Sequence, residues 1–204
     1  MANMSIEILT TEFDFPQRAA GGALPRVPAG KYYWQAREHD LLTARLTIVP
    51  HGRIGVDLWW NRVGGPSDIQ ALFGIYESSV ELGSLRGNGY DTPALHRRGF
   101  GTFAVNAAVQ ALQACAAPGL HVHGVLSNTS EYALPPEQRA KLDRNRAEFW
   151  RRFGLEVVCR GSPALDYLRG TVGSMQVVHG GLLAGQFPRC VPLGEFCRTP
   201  PEGY

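Results

Sequence analysis
The sequence predicts an α+β fold of mixed α/β character, and three observations carry that expectation. Apolar and polar residues alternate through Leu42–Val49 and Ile54–Trp59, the period-two pattern of half-buried strands. Residues 99–116 instead carry apolar side chains at helical spacing, and 136–153 reads as a second helix. Shorter strand-like runs, 120–126, 155–159 and 173–178, lie between and after those helices.

Taken in order, Ser5–Thr11 reads as a short strand, and Phe15–Gly30, rich in Pro, Gly and Ala, reads as loop. The alternating runs flank Pro50-His51-Gly52 and so form a hairpin. A further strand is expected from Leu72 to Leu85. It places Tyr76, Ser78, Val80 and Leu82 on one face and Ile75, Glu77, Ser79 and Glu81 on the other. Gly83 inside that run signals a bulge or a close backbone approach. In the first helix, Phe100, Phe103, Ala104, Ala107, Ala108, Ala111, Leu112 and Cys115 make a broad apolar face, and Pro118-Gly119 stops it. Gly154 ends the second helix in the usual position after the last turn. Beyond His179 the chain is rich in Gly and Pro, and an irregular tail lying on the body or on a partner is expected.

A chain of 204 residues with 44% hydrophobic content buries a proper core, read here as one domain, 1–178, with an extension, 179–204. A formal charge of +2 and a pI near 8.4 are too mild for a nucleic-acid or membrane-surface protein, so any basic site is local. The start, MANMSIEILTTEFDF, has no basic segment followed by an apolar run, and no apolar stretch is long enough to span a membrane. A soluble, cytoplasmic protein is expected. Cys115, Cys159, Cys190 and Cys197 contain no CxxC pair, and free thiols are the expectation, with a Cys190–Cys197 bridge as the alternative.

The local basic site is PALHRRGFGTFAVNAAVQAL, residues 93–112, where three basic side chains precede Gly99-Phe100-Gly101 and a helix. The first turn of a helix has backbone N–H groups without intrahelical partners, and the aligned peptide dipoles leave that end partly positive. Glycines at 99 and 101 let a phosphate approach the backbone, Thr102 adds a hydroxyl, and His96, Arg97 and Arg98 add charge. A diphosphate ligand fits this pattern; a tight loop with solvated arginines is the plain alternative. Gly99-Phe100-Gly101-Thr102-Phe103-Ala104 also satisfies the dinucleotide fingerprint GxGxxG/A. That fingerprint needs a strand ending just before its first glycine and an acidic residue closing the next strand. Here Pro93 and HRR precede the glycine, and Leu126 is followed by Ser127 and Asn128.

Residues 93–101 resemble the acyl-CoA loop of the GNAT N-acetyltransferases: Pro, two residues, Gln or Arg, two residues, Gly, one residue, Gly or Ala. Asn145 to Val157, NRAEFWRRFGLEV, is similar to the family's later helix, which ends in Phe-Tyr, three residues, Gly-Phe and a strand. Glu81-Leu82-Gly83-Ser84-Leu85 resembles the family's bulged fourth strand. The resemblance implies a splayed mixed sheet flanked by helices, with acetyl-CoA as co-substrate, no metal, and a primary amine of a small molecule or peptide as acceptor. It implies cofactor contacts from Leu85, His96, Arg97, Arg98, Gly99, Phe100, Gly101, Thr102, Asn128 and Asn145. A non-catalytic acyl-CoA-binding or interaction module with the same fold is the rival.

Two positions depart from the family pattern. His96 replaces Gln or Arg, keeping a phosphate donor when protonated. Trp150 stands where the family has tyrosine, and an indole N–H is too weak an acid to protonate a leaving thiolate. Tyr132 and Tyr90 are substitute acids, and each also reads as an ordinary loop aromatic. Glu81 and Glu77 are the candidate bases, with plain solvated charges as the alternative. His121 and His123 share a face and read as structural or surface histidines, since no third metal ligand stands at recognisable spacing. Tyr32-Tyr33-Trp34 and Trp59-Trp60 are candidates to line an acceptor cleft, with half of each group assigned to core or sheet face. The tail from Gly180 to Tyr204 is a candidate subunit contact, so a homodimer is an option.

Overall fold
The computed structural model describes residues 27–37, 40–49, 52–86, 95, 97–126, 134–158 and 167–204. Ten strands and two α-helices are assigned among them. The strands are β1 (Gly30–Arg37), β2 (Leu41–Val49), β3 (Arg53–Trp60), β4 (Ile69–Ile75), β5 (Ser79–Arg86), β6 (His121–Val125), β7 (Glu156–Val158), β8 (Tyr167–Thr171), β9 (Leu182–Leu183) and β10 (Phe187–Pro188). The helices are α1 (Phe100–Cys115) and α2 (Pro136–Arg151). The fold is α+β: strands β1 to β8 form one mixed sheet in the order β1-β2-β3-β4-β5-β6-β8-β7, and β9 and β10 make a separate small hairpin. Every pairing in the large sheet is antiparallel except β5 with β6.

The alternation read from the sequence sorts the faces. Leu42, Ala44, Leu46 and Ile48 on β2 and Ile54, Val56 and Leu58 on β3 are buried on the face that receives α1. On α1, thirteen of sixteen residues are buried, because the helix lies between the sheet and the segment after β8. Its broad alanine-rich face permits that close approach.

Two expectations are corrected, and one strand is new. The run from Leu72 to Leu85 is not one strand but the hairpin β4–β5. It turns at residues 76–78, where the Tyr76 N–H donates to the Ser79 carbonyl at 2.8 Å. Gly74, Glu77 and the serines at 78 and 79 interrupt the apolar pattern with small or polar residues that favour a turn. The strand expected at 173–178 is instead β8, which ends at Thr171. There Thr171 and Ser174 cap a short 3-10 turn reciprocally, and the Gly173 N–H donates to the Pro118 carbonyl at 2.8 Å. Strand β1, with Tyr32, Tyr33 and Trp34, was not expected: it pairs antiparallel with the next strand, Arg37 opposite Leu41, but GKYYWQAR lacks the apolar–polar alternation that marks β2 and β3. The strand expected at 5–11 and most of the 15–30 loop lie outside the described residues.

The bulge expected at Gly83 is present. Leu72 faces Ser84 and Phe73 faces Leu82, so Gly83 is the extra residue, and a Cβ there would lie 3.2 Å from the Leu72 carbonyl oxygen. After Gly154, at φ +79°, the chain reverses into β7. Cys115, Cys190 and Cys197 are free thiols, as expected, so the Cys190–Cys197 bridge is absent. Among the described residues, no helix is long and apolar enough to cross a membrane.

Candidate functional site
Helix α1 crosses from β5 to the parallel strand β6, so its N-terminus lies at the end of the sheet where β5 and β6 finish. The Phe100 ring confirms the placement, packing edge-on at 5.1 Å against Trp60 at the end of β3. Gly99 caps α1 at φ +94° with no side-chain cap, and Arg97 also takes a positive φ of 59°. The first intrahelical bond runs from the Phe103 N–H to the Gly99 carbonyl at 3.0 Å, which leaves the amides of Phe100, Gly101 and Thr102 without helical acceptors. No acidic residue stands in this first turn. Phe100, Gly101 and Thr102 are buried, Gly99 is half-buried, and Arg97 and Arg98 are exposed.

A third arginine joins Arg97 and Arg98 from the tail. The Ala184 N–H donates to the Arg98 carbonyl at 2.8 Å, and Arg189 lies across Gly99, so that a Cβ at position 99 would sit 2.8 Å from the guanidinium Nε. That Nε is buried and has no hydrogen-bond partner. A guanidinium beside the positive end of a helix is unfavourable alone. Among the described residues Arg97, Arg98 and Arg189 have no carboxylate partner, so the loop presents uncompensated charge. An anion is what such a site stabilises, and an orphaned buried donor fits a diphosphate oxygen.

The second half of the site is the junction of β5 and β6. Only Ser79–Glu81 pair with His121–His123; among the described residues the edge of Leu82–Arg86 facing β6 is unpaired beyond that point. Glu81 is therefore the last paired residue before the strands part. It is exposed, accepts a hydrogen bond from the Tyr76 hydroxyl at 3.1 Å, and stands in register with His123. The Glu81 carboxylate raises the Tyr76 phenol above its ordinary value, through the hydrogen bond first and the charge second. His123 Nε2 lies 3.3 Å from the Ser79 hydroxyl.

Glu77 does not share the Glu81 face: it sits in the β4–β5 turn, exposed. Leu85 is half-buried on β5, and Asn145 is exposed on α2. His96, Asn128, Tyr132 and Tyr90 lie outside the described residues. Trp150 is buried in an aromatic cluster with Phe149 at 5.2 Å and Phe153 at 6.1 Å, a packing role. The aromatic pairs divide as expected: Trp34 and Trp60 pack toward α1 against Phe103 and Phe100, while Tyr33 and Trp59 face the other side against Tyr204. Histidines 121 and 123 share an exposed face, and no metal-holding group of side chains occurs among the described residues.

Sequence reading missed Arg189 and Tyr76. Nothing local marks Arg189, which reaches Gly99 only because the tail folds back. Tyr76 was assigned to the face opposite Glu81, and the turn brings the two together. Comparison of the chain with family models, with curated proteins and with solved structures gave no match in any of the three.

Proposed function
We propose that the chain is a GNAT-like N-acyltransferase, moving an acyl group, acetyl in the simplest case, from acyl-CoA to a primary amine of a small molecule or peptide. One observation carries the reading: β5 and β6 form a single short parallel pair that parts beside a bulge, at the end of the sheet where the glycine-capped α1 begins.

The bound co-substrate supplies the thioester. The amides at the start of α1, with Arg97, Arg98 and Arg189, hold its diphosphate. The unpaired edge of β5 offers backbone N–H groups to orient the pantetheine arm and polarise the thioester carbonyl. Glu81 takes the proton from the acceptor ammonium, held in place by the Tyr76 hydroxyl. Trp150 in the core leaves the leaving thiolate without the family's tyrosine, which favours the non-catalytic acyl-CoA-binding module as a second reading.

Thermal unfolding with acetyl-CoA, CoA, NAD and ATP separates these. Ligand at about a hundred times its dissociation constant adds about 2.7 kcal/mol, a midpoint rise of roughly 5–11 °C for a chain of this size. The expected result is a shift with both CoA species, lost in Arg97→Glu/Arg98→Glu, and none with NAD or ATP. No shift with either CoA species overturns the reading. Steady CoA release with an amine panel, reduced about a hundredfold or more by Glu81→Gln, identifies the enzyme; tight binding without release identifies the module.

A further inference from the structure
The face of the sheet opposite α1 carries a cavity of about 760 Å³, lined by Arg45, Asp57, Trp59, Arg62, Asp68 and Arg86 among others. It opens at the same end of the sheet as the α1 N-terminus, because Arg86 closes β5 in register with Gln70. Three guanidiniums face two carboxylates there.

Asp57 is saturated, and Asp68 has one acceptor position left. Asp57, nearly buried, accepts from Arg45 Nε and Nη2 at 3.2 and 2.8 Å on one oxygen, and from the Ser67 hydroxyl and Gln70 Nε2 at 3.2 and 2.8 Å on the other. Asp68 accepts from the Trp60 N–H at 2.8 Å and from Arg62 Nη2 and Nε at 2.6 and 3.4 Å. A cationic ligand therefore finds one acceptor position, on Asp68 Oδ1, and that oxygen already holds the Arg62 guanidinium. The other free groups are donors: Arg62 Nη1, and the Arg86 guanidinium, which has no ion pair or side-chain hydrogen bond among the described residues.

One surplus positive charge matches a monoanion better than a phosphate dianion, and a planar fork matches a carboxylate. Along β5 the next residue on this face is Ser84, and then comes the Gly83 bulge, about 10 Å from Arg86 at the ordinary rise per residue. We infer that this cavity binds the carboxylate of a small amino-carboxylate through Arg86 and Arg62, with the amine extended along β5 toward the bulge. The anion site stands on the cavity alone; its identity as the acceptor end rests on the acyltransferase reading.

Calorimetric titration of the full chain with ω-amino carboxylates from glycine to 6-aminohexanoate tests it, each beside the alkylamine and the ω-amino phosphonate of matching length. The expected result is binding that strengthens with chain length, absent for the alkylamines and weaker for the phosphonates. Arg86→Gln weakens it about tenfold or more, Arg86→Lys less, and acetyl-CoA affinity is unchanged in both. Binding of alkylamines equal to that of the carboxylates, tighter binding of phosphonates, or indifference to Arg86→Gln overturns the proposal. If acetyl-CoA binds and no amino-carboxylate does, the cavity assignment alone falls. If amino-carboxylates bind as described and acetyl-CoA does not, the anion site stands and the acyltransferase reading falls.

Discussion

Asn106 shows how a single side chain decides where a segment goes. It is fully buried on α1, accepts from the Val178 N–H at 2.8 Å, and donates to the carbonyls of Val178 and Arg189 at 3.0 and 2.8 Å. Gln110 and Gln113, on the same side of the helix, bond the carbonyls of Val191 and Met175. Asn106→Leu leaves several buried backbone groups unsatisfied, and urea unfolding is expected to show a loss of roughly 2–4 kcal/mol, at about 1–3 per group with partial relaxation. A buried amide among Phe103, Ala104, Ala107 and Ala108 was visible in the sequence as a polar break in an apolar face. Its partners were not, because they lie about seventy residues or more away. Cys115 makes a second case. Burial pushes its thiol up to about 11 from an ordinary 9.0, so the fold favours the neutral form. Its contribution to stability is fully present below pH 9 and falls as pH rises from there through 11. At pH 8 a disulfide reagent is expected to label the exposed Cys197 in the native protein and Cys115 only on unfolding, as peptide mapping will read.

At the level of elements, the end of α2 and the return to β7 depend on one glycine. Gly154 has φ +79°, and a Cβ there would fall 2.2 Å from the Ser174 carbonyl oxygen, a fixed backbone atom in the capped turn after β8. Gly180, at φ +81°, has nothing within 4 Å. Thermal unfolding of Gly154→Ala and Gly180→Ala therefore separates clash from backbone strain. The second is expected to cost about 1 kcal/mol, and the first distinctly more, because Ser174 must move. The helix-ending role of Gly154 was legible in the sequence from its place after a helical run. The split of β4 from β5 was not, since a continuous alternation and a tight hairpin share the same period on either side of the turn.

At the scale of the molecule, the tail is part of the core rather than an appendage lying on it. Leu183, Phe187, Val191 and Phe196 are buried in the same cluster as the sheet and α1, and Cys197 pairs through its backbone with Tyr33 at 2.8 and 2.7 Å. Each such side chain is worth about 1.5–3 kcal/mol on burial, so the four together rival the 5–15 kcal/mol stability of an ordinary domain. A chain truncated after Gly181 is expected to lose its cooperative thermal transition and bind a hydrophobic dye; a sharp transition near the full-length midpoint would show the tail dispensable.

The sequence by itself determined the elements whose physics is local. The β2–β3 alternation, the apolar face of α1, the helix stops at Pro118-Gly119 and Gly154 and the bulge glycine depend on neighbours along the chain, and all are where periodicity and turn chemistry put them. The glycine-rich start of α1, with arginines just ahead of it, was equally legible as a helix N-terminus without a side-chain cap. Only the tertiary structure decided what sits across from what. It paired β5 with β6 for three residues before they part, brought Tyr76 round to Glu81, and laid Arg189 over Gly99. It also set two arginine-paired aspartates, Asp57 and Asp68, beside the unpaired Arg86 on the far face. The reason is that strand order and the path of the tail are settled by long-range burial and hydrogen-bond satisfaction, which leave no periodic trace in the residues that make them.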